Sequence, residues 1–178
     1  MSGHSKWATT KHAKAAADAK RGQAFTKVAR LISVAVRKGG GDPTTNSFLR
    51  LAIEKGKEVN MPNDNIKRAI ERGMGKEAGA SGLEEMTLEG YGPSGVAFLV
   101  EVVTDNRNRT IAEVRNLFTR YGGNLGETGC AAYVFTDKEH PTFAIELDEG
   151  AKEKVSGLAQ ALSDLDDVQE IYTNAGGL

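Results

Sequence analysis

Several features are scarce in this 178-residue chain, and their scarcity excludes whole classes of protein. It has a single cysteine, Cys130, which excludes a disulfide framework and a zinc site built on cysteine ligands. Its longest apolar run, Val96–Val100, is far too short to span a bilayer. The first residues show no apolar stretch typical of a secretory signal. We therefore expect a cytoplasmic protein in a reducing compartment, with no membrane partner.

Net charge is also low, at −1, but the two halves of the chain differ sharply. Residues 1–76 carry ten lysines and six arginines against six acidic residues, a net charge of +10. Residues 77–178 carry seven basic and eighteen acidic residues, a net charge of −11. An imbalance over a domain-sized segment indicates a polyanion-binding part joined to an acidic part.

The N-terminal half has the apolar spacing of amphipathic helices. In the first helix the apolar positions recur at steps of three and four residues: Phe25, Val28, Ala29, Ile32 and Val36. Gly22 predicts a kink or joint in this helix, and Gly39–Gly41 predict its end. A second helix is predicted over Asn46–Lys57, and a third begins at Pro62 and stops at Gly73.

Composition and periodicity divide the chain into three segments. Residues 1–76 are predicted to form a basic helical domain, residues 77–83 a glycine-rich linker, and residues 84–178 an acidic α/β domain. The glycines of the linker region lack the preceding strand and following helix of a phosphate loop, so we do not expect one there.

The C-terminal half changes to the period of strands. Strands are predicted over Met86–Tyr91, Val96–Val103, Ala131–Phe135, Thr142–Leu147 and Val168–Tyr172. One helix begins near Thr110, in a capping box with Glu113, and a second contains Val155 and Leu162. The predicted class is α+β: an N-terminal helical domain followed by a ferredoxin-like β-α-β-β-α-β domain with an extra N-terminal strand. Both helices are expected on one face of an antiparallel sheet.

Residues able to carry catalysis or bind a metal are few and poorly grouped. His4 and His12 lie eight residues apart, with no carboxylate or cysteine at ligand spacing. Cys130 begins an apolar strand, which favours a small core residue over a nucleophile. Asp164, Asp166 and Asp167 are of the type that binds a cation, but we favour interpreting this acidic cluster as a solvated loop before a strand. We therefore expect no metal, no cofactor and no enzymatic activity.

Basic residues are the candidates for contacts to a nucleic-acid backbone, because phosphates are bound by lysine and arginine. On the first helix several of them fall on the face opposite the apolar stripe. The candidate nucleic-acid-binding residues are Lys6, Trp7, Lys11, Lys14, Lys20, Arg21, Lys27, Arg30, Arg37, Lys38, Arg107 and Arg109.

Two of these assignments have alternatives. Trp7 is placed either to stack on a base or to anchor to the helical core. Arg107 and Arg109 are placed either to bind phosphate at a helix start or to pair with Asp105 and Glu113, and the phosphate role is slightly favoured.

A series of short motifs runs along nearly the whole chain. They are Gly3–Trp7, Lys11–Lys14, Asp18–Gly22, Gly39–Pro43, Asn60–Ile66, Glu89–Pro93, Leu99–Thr110, Gly122–Gly126 and Leu165–Glu170. Taken together and in this order, they resemble the YebC/PmpR family.

The resemblance implies an N-terminal helical domain, an α/β body and no catalytic site. It also implies one of two activities: that of a transcriptional regulator that binds DNA, or that of translation factors, mitochondrial ones included, that help ribosomes through sequences such as proline stretches. Members of the family carry a third domain inserted in the α/β body. This chain is expected to lack it and to close the gap with a hairpin over Thr136–Pro141, so no function that depends on that domain is implied.

Three functions are therefore considered. One is a duplex-DNA-binding transcriptional regulator, which is expected to read base edges as a dimer. Another is a translation factor that binds ribosomal RNA or the ribosome, which a long basic helix beside Trp7 suits at least as well. The last is a module whose acidic body docks a protein. Family naming favours DNA and the residues lean towards RNA; the oligomeric state and the target site are not predicted.

Overall fold

The computed structural model describes residues 4–75 and 82–177, with the backbone alone described over residues 4–16. The chain divides into two compact units, residues 1–80 and 81–178. The first unit is helical and the second contains the sheets, and each has a buried core of its own.

The described part of the first unit forms three helices: α1 (His4–Gly39), α2 (Ser47–Glu58) and α3 (Asn63–Gly73). α1 continues as one helix through Gly22, where the sequence predicts a kink or joint. It ends at Gly39, because Gly40 adopts a positive φ of 85° that a continuing helix does not allow.

The core of the first unit lies where the three helices meet. Its buried residues are Val28, Ile32, Ala35, Val36, Leu49, Ala52, Met61, Ile66 and Ala69. The end of α3 approaches α1 very closely, since a Cβ added at Gly73 would lie 2.7 Å from the Ser33 carbonyl oxygen. The Ser33 hydroxyl also donates to the Ala69 carbonyl oxygen over 2.8 Å, which ties the two helices together.

One buried side chain, Asn46, joins the end of α1 to the start of α2. Its Nδ2 donates to the carbonyl oxygens of Ala35 and Gly40, each over 2.8 Å. Its Oδ1 accepts from the Leu49 backbone N–H over 3.0 Å and so caps the first turn of α2. Because the amide uses its donors and its acceptor on the backbone, it fixes the direction in which α2 leaves α1.

The described part of the second unit contains two α-helices and eight strands, and several of the strands are very short. They are β1 (Glu84–Tyr91), β2 (Ala97–Thr104), α4 (Arg107–Arg120), β3 (Asn124–Leu125), β4 (Phe135–Asp137), β5 (His140–Pro141), β6 (Ile145–Glu146), α5 (Glu149–Ser163), β7 (Val168–Thr173) and β8 (Ala175–Gly176). The main sheet is antiparallel, in the order β3-β1-β2-β7. β4 and β5 form a hairpin, and β6 pairs in parallel with β8.

β2 is covered on both faces, and alternate residues serve different cores. Phe98, Val100 and Val102 pack with residues of α4 and α5. The Phe98 ring meets the Phe118 ring edge-to-face, with centroids 5.6 Å apart. Ala97 packs on the other side of the sheet, in a cluster with residues 131–135. The expected sheet with both helices on one face is confirmed.

Between α4 and α5 the chain differs from the two full strands that the sequence predicts. The predicted strand over Ala131–Phe135 is a 3₁₀ turn at Ala132–Val134 that leads into β4. Of the predicted strand over Thr142–Leu147, only β6 has strand geometry. The place beside β2 is occupied by β1, the extra N-terminal strand, so these segments lie outside the main sheet. The α+β class is confirmed, and the hairpin expected over Thr136–Pro141 is present as β4–β5.

The buried carboxylate of Glu89 holds the 129–132 loop in its non-strand shape. Its two oxygens accept the backbone N–H groups of Gly129, Ala131 and Ala132 over 2.8 to 2.9 Å. An N–H group bound to this carboxylate is not available to a strand ladder, which explains why this segment leaves the main sheet. Burial by itself raises the pKa of Glu89, but the three N–H donors outweigh it and the pKa is lowered.

Candidate nucleic-acid interface

α1 carries most of the candidate phosphate-binding residues. Four candidate side chains lie outside the described residues: Lys6, Trp7, Lys11 and Lys14. The others on this helix are exposed or half-buried: Lys20, Arg21, Lys27, Arg30, Arg37 and Lys38. Arg37 and Lys38 belong to the last turn, where a positive charge also stabilises the helix dipole.

The basic surface of α1 is not continuous. At about 100° per residue, Val34 falls on the same side as Arg30 and Arg37. Val34 is only 6% exposed, and its neighbour Ser33 is buried as well. α1 is therefore buried around most of its circumference at this level, and its basic residues form one group before Val34 and another after it.

A cleft of about 320 Å³ opens between α1 and α3, beside the first of these groups. Apolar side chains supply part of its lining: Phe25, Ala29, Met61 and Ala69. Polar side chains supply the rest: Thr26, Arg30, Asn65, Arg68 and Arg72. Three of these nine residues are arginines and none is acidic, so the cleft combines an apolar surface with positive charge.

Arg68 and Arg72 are functional candidates that the sequence reasoning missed. They lie four residues apart on α3 and therefore on one face of the helix. This spacing is visible in the sequence. The sequence does not show that the face lies opposite Phe25 and Arg30 of α1.

Arg109 forms the ion pair with Asp105 that one of its two considered roles predicts, and a second ion pair, with Asp167, that the sequence analysis did not predict. Its guanidinium donates to Asp105 Oδ1 over 2.8 Å and to Asp167 Oδ2 over 2.9 Å. Asp167 is 4% exposed, so the expectation that it lies in a solvated loop is wrong. The hydrogen bond to Asp167 has the largest effect on the pKa of Arg109, and the hydrogen bond to Asp105 has the next largest. Both raise this pKa further above its ordinary value, so the guanidinium stays charged.

The start of α4 also differs from the predicted capping box. The N-cap is Asn106, whose Oδ1 accepts from the Arg109 backbone N–H over 3.1 Å. Thr110 is buried inside the helix, and its hydroxyl lies 2.5 Å from Asp167 Oδ2. Arg107, in contrast, is exposed in the first helical turn and remains a candidate for phosphate binding.

Cys130, the cysteine that the sequence analysis weighed as a core residue or a nucleophile, has a structural role. Cys130 packs against the cluster on the second face of the sheet, and burial, its largest influence, raises the pKa of the thiol. Among residues 17–75 and 82–177, whose side chains the structure describes, no group of three or more His, Cys, Asp or Glu side chains could hold a metal ion. No helix in this described part of the chain is long and apolar enough to cross a membrane.

Two family models match the sequence. The model described as "TACO1/YebC protein N-terminal domain" matches residues 5–76. The model described as "TACO1/YebC second and third domain" matches residues 83–143.

Curated relatives and a solved structure are similar to most of the chain. A "probable transcriptional regulatory protein" of Treponema denticola is 64% identical over 138 residues, which are 78% of this chain and 56% of that protein. One of the same name from Trichlorobacter lovleyi is 51% identical over 175 residues, 97% of this chain and 70% of that protein. The chain thus spans little more than half the length of the Treponema relative. The crystal structure of a conserved hypothetical protein from Aquifex aeolicus matches with a TM-score of 0.81 at 35% identity, covering 89% of this chain and 91% of that one.

Proposed function

The chain belongs to the TACO1/YebC family, and on that premise we propose that it is a non-enzymatic, nucleic-acid-binding regulator of gene expression. Relatives named probable transcriptional regulatory proteins support a regulatory role. Their names suggest a nucleic-acid partner, which is a polyanion.

The observation that carries this proposal is the charge of the helical unit. Residues 1–76 hold a net charge of +10 in a chain whose total is −1. Lys20 is exposed and Lys27 and Arg30 are half-buried along α1, within reach of a phosphate backbone. Such contacts release condensed counterions and give affinity without reading base sequence.

Duplex DNA is the first candidate partner, since the relatives are named for transcription. In this case α1 lies against the phosphate backbone and Arg107 adds a contact from the start of α4. The buried residues Ser33 and Val34 divide the basic surface of α1, so the phosphates are bound at two places along the helix.

RNA, free or in the ribosome, is the second candidate, and the cleft between α1 and α3 favours it. Single-stranded RNA is bound through unstacked bases that stack on aromatic side chains beside cations. Phe25, Met61 and the three arginines of the cleft offer that combination. The corresponding function is that of a translation factor.

A binding competition at several salt concentrations tests the proposal. The purified full chain is offered intact ribosomes and duplex DNA together, between about 50 and 200 mM salt, because non-specific phosphate binding falls steeply over that range. Ribosome binding that survives while the duplex is lost assigns the translation role. A particular duplex that survives and displaces ribosomes assigns the transcription role.

Failure to bind ribosomes, duplex DNA and free single-stranded RNA at the lowest salt contradicts the proposal. The function would then be docking of a protein by the acidic unit, which predicts little dependence on the charges of residues 1–76. The result is decisive if the labelled chain binds none of these partners and still has its native circular dichroism spectrum, because the loss of binding is then not caused by unfolding.

A further inference from the structure

We infer that the cleft between α1 and α3 receives one unstacked nucleotide of a single-stranded nucleic acid. The phosphate is held by arginines and the base lies on the apolar part of the lining. This inference rests on the proposed function, because it names the form of nucleic acid that the helical unit accepts.

The apolar part of the lining provides a surface for a base. Met61 and Ala69 are 5% and 3% exposed, so they form the bottom of the cleft. Phe25 and Ala29 are half-buried and continue this surface along α1. A base has an apolar face and a polar edge, and stacking on an aromatic ring accepts any base.

The charged part of the lining provides the contact to phosphate. Arg68 and Arg72 are exposed and lie one helical turn apart, while Arg30 is half-buried on the facing helix. A guanidinium donates two parallel hydrogen bonds to phosphate oxygens, a geometry that an ammonium group does not offer. Among the described residues that line the cleft, three are arginines and none is a carboxylate, so the lining attracts a phosphate group.

Neutral polar groups complete the lining where a base edge would lie. Asn65 is half-buried on α3, and its amide offers both a donor and an acceptor. The Thr26 hydroxyl donates to the Gly22 carbonyl oxygen over 3.1 Å, which leaves its oxygen to accept. These groups satisfy a base edge without specifying one base strongly.

The shape of the cleft favours a single strand over a duplex. A volume of about 320 Å³ suits one small planar ligand. In a duplex the bases are stacked and paired, so only the phosphates reach the arginines and the apolar surface stays uncovered. A single strand presents unstacked bases and covers both parts of the lining.

The test compares a single strand of about ten nucleotides with the duplex of the same sequence, by fluorescence anisotropy on the full chain. The double variant Arg68→Ala/Arg72→Ala removes the charge of the cleft. The double variant Lys57→Ala/Lys67→Ala removes the same charge from exposed positions outside the lining and is its matched control. Phe25→Leu removes the ring and keeps an apolar side chain, and thermal unfolding confirms that each variant is folded.

We expect the arginine pair to weaken single-strand binding about tenfold, against less than about threefold for the lysine pair. It should also lower the slope of log K against log salt by about 0.7, the value for one phosphate contact on a single strand. Phe25→Leu should weaken single-strand binding at least about fivefold and leave duplex binding within about twofold.

Equal losses from the arginine and lysine pairs overturn the inference, because the cleft is then no more than part of a diffuse basic surface. Equal effects of Phe25→Leu on strand and duplex overturn it as well. In both cases the wild-type chain still binds nucleic acid, so the proposed function survives. A wild-type chain that binds neither the single strand nor the duplex contradicts both the inference and the proposed function.

Discussion

The Arg109 guanidinium donates to the buried Asp167 carboxylate over 2.9 Å. The same carboxylate oxygen lies 2.9 Å from the Thr104 hydroxyl and 2.5 Å from the Thr110 hydroxyl. These residues come from the end of β2, the first turns of α4 and the turn before β7. An arginine that the sequence presents as a phosphate contact therefore joins three elements of the acidic unit.

Replacing Arg109 should affect stability more than replacing its neighbour. We expect Arg109→Ala to lower the free energy of unfolding of the second unit by about 1 kcal/mol, since Asp167 loses a charged partner while the arginine itself is partly solvated. Arg107→Ala, at an exposed position in the same turn, should change it by less than about 0.5 kcal/mol. Chemical denaturation measures both, and equal destabilisation by the two variants would contradict the structural role of Arg109.

Asn46→Asp tests the joint between α1 and α2. The variant keeps the oxygen that caps α2 but replaces the Nδ2 donor with an oxygen that faces the Ala35 and Gly40 carbonyls. We expect a loss of about 2 to 4 kcal/mol of unfolding free energy in the helical unit. The control is Asn63→Asp, where the same change falls on an exposed residue at the positive end of α3 and should be neutral or slightly stabilising. Similar melting temperatures for the two variants would refute the role of Asn46.

Two glycines in helices should respond to alanine in opposite directions. Gly73→Ala places a Cβ 2.7 Å from both the Ser33 carbonyl oxygen and the Val36 Cβ, so we expect a loss of about 1 to 3 kcal/mol of unfolding free energy. Gly22 lies inside α1 with nothing within 4 Å of an added Cβ. There, alanine should stabilise the helix by about 0.5 to 1 kcal/mol. Thermal unfolding measures the stability of both variants. A Gly73→Ala chain as stable as wild type would contradict the prediction and show that α3 is free to move away from α1.

The carboxylate of Glu89 should make the acidic unit sensitive to acid. Its pKa is lowered from the ordinary 4.5 in the folded chain, so the unfolded chain binds the proton more readily. The stability that Glu89 contributes is thus present above about pH 4.5 and is lost as the pH falls through the lower folded-state value.

Glu89→Gln isolates this contribution. The variant should be less stable than wild type near neutral pH, because one amide group faces the N–H donors of the loop, and the difference should shrink as the pH falls. Glu153→Gln, at an exposed position of α5, is the control and should show no such trend. Unfolding titrations in denaturant at several pH values measure the difference in unfolding free energy between this variant and wild type. A difference that does not change with pH would rule out the titration of Glu89 as its source.

Much of the fold follows from local patterns, and the differences arise where a distant side chain intervenes. The helices around Ile32, Leu49 and Ile66 follow from apolar periodicity, which depends only on nearby residues. The strand predicted over Ala131–Phe135 failed because Glu89, some forty residues earlier, takes the N–H groups that a strand would need. An apolar run does not show that such a partner exists.

The sequence also predicts only part of the candidate site. The basic character of α1 is visible in Lys20 and Lys27, because charge and helical spacing are properties of the sequence. The cleft is not visible in the sequence, since it requires Arg30 of α1 and Arg68 of α3 to line the same cavity. The burial of Asp167 also depends on a contact over 58 positions, to Arg109, which no local rule supplies.

The most direct test of the central claim is the salt dependence of nucleic-acid binding by the purified full chain, with and without the charges of α1. Binding to duplex DNA and to single-stranded RNA is measured from about 50 to 200 mM salt for wild type and for Lys20→Ala/Lys27→Ala/Arg30→Ala. A variant that removes three exposed charges from the acidic unit, Arg115→Ala/Arg120→Ala/Lys154→Ala, is the control. If the helical unit binds phosphate, log K falls linearly with log salt, and the α1 variant lowers that slope by about 2 to 3 while the control leaves it unchanged. A slope that is the same for wild type and the α1 variant, with both folded by circular dichroism, would contradict the account.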